Sequence, residues 1–172
     1  LPIKSFIGEP DTTLWFDSIY IEGNSQDHFY IATLPIELPE KKYVRAMEFL
    51  PGKNNLVHHM NGRLLNYENG QKVSVSEGER LLDLEINEQE YINQFNQLKL
   101  ANDDGSRPQQ INSAVNYLPG STGQIYPEGI GGFTINSKSI LLADDIHFGP
   151  IPKGKWSHNK VHVFFSDYAP NR

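Results

Sequence analysis

Tyr43-Val-Arg-Ala-Met-Glu-Phe-Leu-Pro-Gly-Lys-Asn-Asn-Leu-Val-His-His-Met60 decides the fold. Tyr43 to Phe49 alternates in character, which reads as a strand. Pro51-Gly52 ends that strand at a turn, and Asn55-Leu-Val-His-His-Met60 starts a second one after a short loop. Short strands punctuated by Pro and Gly turns favour an antiparallel sandwich or jelly roll over a parallel sheet.

The pattern extends in both directions. Leu14-Trp-Phe-Asp-Ser-Ile-Tyr-Ile21 and His28-Phe-Tyr-Ile-Ala-Thr33 are rich in aromatic and β-branched residues, with Gly23-Asn24 as the turn between them. Arg63-Leu-Leu65, Ser139-Ile-Leu-Leu142 and Val161-His-Val-Phe-Phe165 complete the set. One helix is expected over Asn87-Glu-Gln-Glu-Tyr-Ile-Asn-Gln-Phe-Asn-Gln-Leu98. Asn87 is a candidate N-cap with Glu90 three residues on, and Tyr91, Phe95 and Leu98 share one face. Asn102-Asp-Asp-Gly-Ser-Arg-Pro108 then ends it. The expected fold is a single all-β domain, an antiparallel β-sandwich or jelly roll, carrying a helical insertion at about 66–115.

Composition narrows the function. The 172 residues are enough for one domain with a real core, and 9 Phe, 8 Tyr and 2 Trp suit a packed fold. The net charge is -6 and the longest basic run is Lys41-Lys42, so no clustered basic face marks a nucleic-acid partner. No apolar run approaches the roughly 20 residues of a membrane span. There is no cysteine, which excludes disulfides, thiolate metal sites and Cys nucleophiles. Any metal must be held by His, carboxylate, Met or backbone groups. The start at Leu1 and the linker-like Ser166-Asp-Tyr-Ala-Pro-Asn-Arg172 read as a piece of a longer protein.

Six histidines stand at 28, 58, 59, 147, 158 and 162. On a regular strand, neighbours point to opposite faces, so His58 and His59 would be one core and one exposed residue. They can share a metal only if the strand twists or bulges there, or if they use different ring nitrogens. His147, in Asp144-Asp-Ile-His-Phe-Gly-Pro150, would complete a three-imidazole site with an open position, a pattern seen for copper and for catalytic zinc. Asp144 or Asp145 would then orient an imidazole from behind; the plainer reading is a pair of solvated carboxylates at a strand end. His162 reads as sheet packing, His158 as a loop residue in solvent, and His28 has no evident partner. Met60 reads as core rather than as a soft ligand. No phosphate loop, G-x-S-x-G elbow or H-E-x-x-H is present.

Taken together, three blocks resemble one family. Tyr43 to Met60 resembles the segment that delivers the paired histidines in copper type II, ascorbate-dependent monooxygenases, the family of peptidylglycine and dopamine hydroxylases. Tyr117-Leu-Pro-Gly-Ser-Thr-Gly-Gln-Ile-Tyr-Pro-Glu-Gly-Ile-Gly-Gly132 is similar to its Pro-Gly … Pro-x-Gly-x-Gly stretch. Ser139 to Gly154 is similar to the strand that supplies its third histidine. The resemblance covers about 28–65 and 115–166. It implies that His58, His59 and His147 are the three ligands of the first domain's copper, the electron-transfer centre. That copper takes electrons from an external reductant and passes them to a second copper in a following domain, where hydroxylation occurs. The second centre needs a His-x-His pair, and this sequence contains none. The family's disulfide cysteines are missing as well. The chain therefore matches the first half only, with export from the cytoplasm implied by the same analogy.

Two other readings stand beside it. The domain could be a non-catalytic module that binds a partner or glycan through Tyr91, Phe95 or Trp156, with a vestigial or structural His site. Or the ligands could hold a hydrolytic zinc, although no general base is evident.

Overall fold

The structure, a computed structural model, describes residues 4–52, 56–121, 123–127 and 129–171. Residue 55, where the second strand is expected to start, lies outside the described residues, as do Thr122 and Glu128 of the glycine-rich stretch. In chain order the strands are β1 (Thr12–Trp15), β2 (Ile19–Ile21), β3 (His28–Glu37), β4 (Lys42–Leu50), β5 (Val57–Tyr67) and β6 (Leu81–Asp83). The helix α1 (Glu88–Gln97) follows, then β7 (Gln109–Tyr117), β8 (Phe133–Ile135), β9 (Lys138–Phe148), β10 (Lys155–Ser157) and β11 (Lys160–Ser166). The fold is the antiparallel β-sandwich expected, with one helix.

One sheet runs β1-β11-β4-β8 and the facing one β6-β3-β9-β5-β7, while β2 and β10 form a separate two-stranded ribbon. The main core fills the space between the sheets. Val57, Met60 and Leu64 of β5 and Ile146 and Phe148 of β9 meet Val44, Met47, Phe49, Val161 and Val163 there. Burying a side chain of this size contributes about 1.5–3 kcal/mol. Sliding β5 by one residue would expose this set and bury histidine, so the core fixes which face the histidines take.

Several elements differ from the sequence expectation. Leu14 to Ile21 is two strands, broken where Phe16 turns into the core beside Phe49 at 6.3 Å. From Val57 onward, the two segments expected at 55–60 and 63–65 are one strand, β5. The stretch 66–115 holds the helix but also β6 and most of β7. β7 escapes sequence reading because Gln109-Gln-Ile-Asn-Ser-Ala-Val-Asn-Tyr117 buries only Ala114 and Val115 fully.

The helix starts as its sequence dictates. The Asn87 side chain caps it by accepting from the Glu90 N–H at 3.0 Å. Tyr91 and Phe95 stack at 5.7 Å and pack, with Leu98, against Ile31, Leu82 and Leu142. These aromatics serve packing. Buried Lys72 ties down the insertion by donating to the carbonyls of Lys99 (2.8 Å) and Ala101 (2.9 Å) and to Glu77 (3.2 Å). No helix among the described residues is long and apolar enough to cross a membrane.

His162 is the packed residue expected, 8% exposed, with its Nδ1 3.9 Å from the buried Glu48 carboxylate. Burial, reinforced by Lys160, lowers its pKa from 6.5, while Glu48 and Glu9 oppose that shift. A lowered folded value means that the unfolded chain binds the proton more readily. The stability from neutral His162 is therefore complete above pH 6.5 and is lost as pH falls through the folded value. His162→Gln is expected to lose less melting temperature than the parent between neutral and mildly acidic pH. Parallel slopes in a thermal melt series would contradict this.

Candidate metal centre

The outer face of the five-stranded sheet is divided. At one end the insertion covers it, packing on Ile31, Ile140, Leu142 and Tyr67. At the other end, from Asp144 to His147 on β9, it is open. The candidate histidines lie on this open half.

A β-bulge brings His58 and His59 to the same side. β5 pairs with β9 through Val57↔Phe148 and then His59↔His147, so His58 is an extra residue with no partner opposite. The burial pattern follows: Val57 in, His58 exposed, His59 half-buried, Met60 in. This is the departure from regular strand geometry that a shared ion requires. A second bulge at Asp144 lies in β9, where Asp144 and Asp145 together stand opposite Ile31 of β3. It turns both carboxylates outward, towards different partners.

The three rings gather around His147. Its centroid is 4.7 Å from that of His58 and 5.2 Å from that of His59, with interplanar angles of 76° and 71°. A ligating imidazole nitrogen sits ~2.0–2.1 Å from the metal and its ring centroid about 1.1 Å further, so ligand rings around one ion lie about 4.5–5.5 Å apart. These two separations fall in that range, although the nitrogens of all three rings do not come within 4.8 Å of one another as the side chains stand. Phe29, opposite His147 on β3, stacks on its ring at 4.4 Å and 14°, which holds the ring in place.

Each of two imidazoles leans on a carboxylate. His59 Nε2 lies 2.7 Å from Asp145 Oδ2, and His147 Nε2 lies 2.7 Å from Asp27 Oδ1. An ionised carboxylate only accepts, so both Nε2 atoms carry the proton and donate. Nδ1 of each neutral ring is then left with a lone pair, the arrangement in which a carboxylate orients a ligating histidine. Asp145 is thus an imidazole partner rather than a solvated carboxylate. Asp144 instead accepts from Arg63 Nε at 2.7 Å and also from its Nη2.

Asp27 is the residue that sequence reading missed. Among the described residues, one group of metal-ligating side chains comes together: Asp27, His58 and His147, with one ligand atom of each within 4.8 Å of the others. His59 is outside that group. Asp27 precedes β3, 120 residues from His147, and only the β3–β9 pairing joins them. The adjacent His28 is not free of partners, as its sequence position implied; it is buried with Nε2 3.0 Å from Asn24 Oδ1. His158 is exposed as expected and pairs with the Ser18 hydroxyl. Met60 is fully buried. Trp156 packs edge-on to Tyr20 at 5.3 Å on the β2–β10 ribbon.

His58 depends on Gly149. A Cβ built on Gly149 would run into the His58 ring at Nε2. The obstacle is the tip of an exposed side chain, so the ring would swing away while the backbone stayed. Gly149→Ala is expected to weaken metal binding about tenfold while changing stability by no more than about 1 kcal/mol. A chelator competition and a thermal melt on the same sample check both parts.

Comparison with known protein families, with curated proteins and with solved structures finds no match for this chain.

Proposed function

We propose that His58, His59 and His147 hold one copper ion in a redox-active domain resembling the electron-transfer half of a copper-dependent monooxygenase. The observation that carries this reading is the bulge at His58, which puts adjacent histidines on one face beside His147. The donor set fits the metal. Neutral imidazoles suit copper, and three of them leave an open position without a strong geometric demand. Bound copper would supply a one-electron redox couple.

The chain's own residues do the rest. Asp145 fixes the His59 tautomer, Asp27 fixes that of His147, and Phe29 limits rotation of the His147 ring. The patch is on the surface, with His58 exposed, so an external reductant and a second copper domain would have access from solvent. Work outside the cytoplasm follows from the family analogy alone. The test is titration with Cu(II), followed by pulsed electron paramagnetic resonance to count coordinated imidazoles and by reduction with ascorbate. One equivalent, three imidazoles and bleaching of the signal support the reading. Absence of stoichiometric binding contradicts it.

A second reading rests on the grouping of Asp27 with His58 and His147. Two imidazoles and one carboxylate form a harder donor set, suited to non-haem iron or zinc. Asp27 would then be a ligand, and His59 would stay paired with Asp145. The two readings differ at His59→Ala, which removes a ligand in the first and none in the second.

A further inference from the structure

Beside the histidines, on the same open face, β7 swings away from β5. The pairing runs Gly62↔Val115 and resumes at Leu64↔Ile111, so Arg63 alone stands opposite the stretch from Asn112 to Ala114. Ser113 takes up the bend with φ +54°, in the left-handed region that a serine rarely occupies. The bend opens a cleft of about 370 Å³ lined by Asn61, Arg63, Asn112, Ser113, Asn116 and Asp144. That volume suits a small ligand, since such clefts run from about 300 to 1,000 Å³. Strain held in a strand next to a cleft is a reason to look for a ligand there.

We propose that this cleft binds a neutral saccharide. Three properties of the lining select that class. First, apart from Gly62, every side chain that lines it is polar, which disfavours lipids and flat apolar molecules. Second, its charges cancel: Arg63 donates through Nε and Nη2 to the same Asp144 oxygen, and Nη1 lies 3.4 Å from Gln110. No net charge is left to select a charged ligand. Third, the amides of Asn61, Asn112 and Asn116 and the Ser113 hydroxyl make no side-chain hydrogen bond among the described residues, and all four are exposed. Each amide offers a donor and an acceptor in one plane. Neighbouring sugar hydroxyls both donate and accept, so they match such a row. An extended peptide fits less well, because the bulge at Ser113 interrupts the β7 edge on which it would have to pair.

The cleft requires no metal, so it is tested on metal-free protein, and the outcome is independent of the copper reading. The probes are neutral hexasaccharides of glucose, mannose, xylose, galactose and N-acetylglucosamine, with hexagalacturonate as an anionic control. The readout is the side-chain amide signals of Asn61, Asn112 and Asn116 in ¹⁵N-labelled protein. At least one neutral hexasaccharide is expected to shift them saturably, with hexagalacturonate weaker. Asn116→Ala is expected to weaken that binding about tenfold, the loss of a hydrogen-bonding partner, with thermal stability unchanged. Three results would overturn the proposal: no response from any of the five, a response confined to Tyr20 and Trp156, or affinity unchanged in Asn61→Ala and Asn116→Ala.

Discussion

His147→Ala is expected to weaken metal binding by more than a hundredfold while the sandwich stays folded. His147 belongs to both ligand sets, and the rings of His58 and His59 are arranged around it. Structural zinc sites bind with about 10–16 kcal/mol over four ligands, so each ligand is worth about 3 kcal/mol, or somewhat more than a hundredfold. The fold should survive, because β9 is held by backbone pairing to both β3 and β5, with Ile146 and Phe148 in the core. What is lost besides the ligand is the stack on Phe29, about 0.5–1.5 kcal/mol, and the exposed hydrogen bond to Asp27. Calorimetric titration with copper, alongside circular dichroism, separates the two effects. An affinity within a factor of three of the parent would remove His147 from the site.

Gly132→Ala is expected to be the most damaging of the glycine substitutions for stability, by about 3 kcal/mol or more. Gly132 has φ +129°, a conformation that costs an L side chain of order 1–3 kcal/mol. Its Cβ would also run into the carbonyl oxygen of Val44. That oxygen belongs to β4, whose Lys42–Val44 stretch pairs with β8 immediately after Gly132. Relief therefore requires moving a strand, in contrast to Gly149→Ala, where a surface imidazole moves instead. For a domain of this size 3 kcal/mol corresponds to a melting temperature lower by about 6–12 °C. A fall of less than 2 °C would show that this turn relaxes freely.

Much of the fold follows from local pattern. β4 and the start of α1 are written in short-range chemistry: alternation and an Asn cap. β7 is not, because solvent covers most of its surface and polar residues are tolerated there. The break at Phe16 is invisible locally, since an aromatic residue suits a strand interior as well as a corner.

The site divides in the same way. Spacing leaves His58 and His59 as one core and one exposed residue; it is the resemblance of the flanking blocks that points to them together with His147. Whether the adjacent pair can act together depends on one extra residue in the β5–β9 register, a property of two strands about 90 positions apart. Asp145 is visible as a candidate orienting group, but its choice of His59, with Arg63 left to Asp144, comes from the second bulge. Asp27 carries no local signal at all. It reaches His147 only because β3 and β9 are neighbours, and an aspartate before a strand is otherwise an ordinary turn residue.

The most direct measurement of the central claim is a count of imidazoles on bound Cu(II) by pulsed electron paramagnetic resonance, in the parent and in His59→Ala. A single copper with three imidazoles, falling to two in the variant, is the result expected for a site built from His58, His59 and His147. Two imidazoles in both proteins would assign the ion to Asp27, His58 and His147, and a signal without coordinated imidazole would contradict a histidine metal centre altogether.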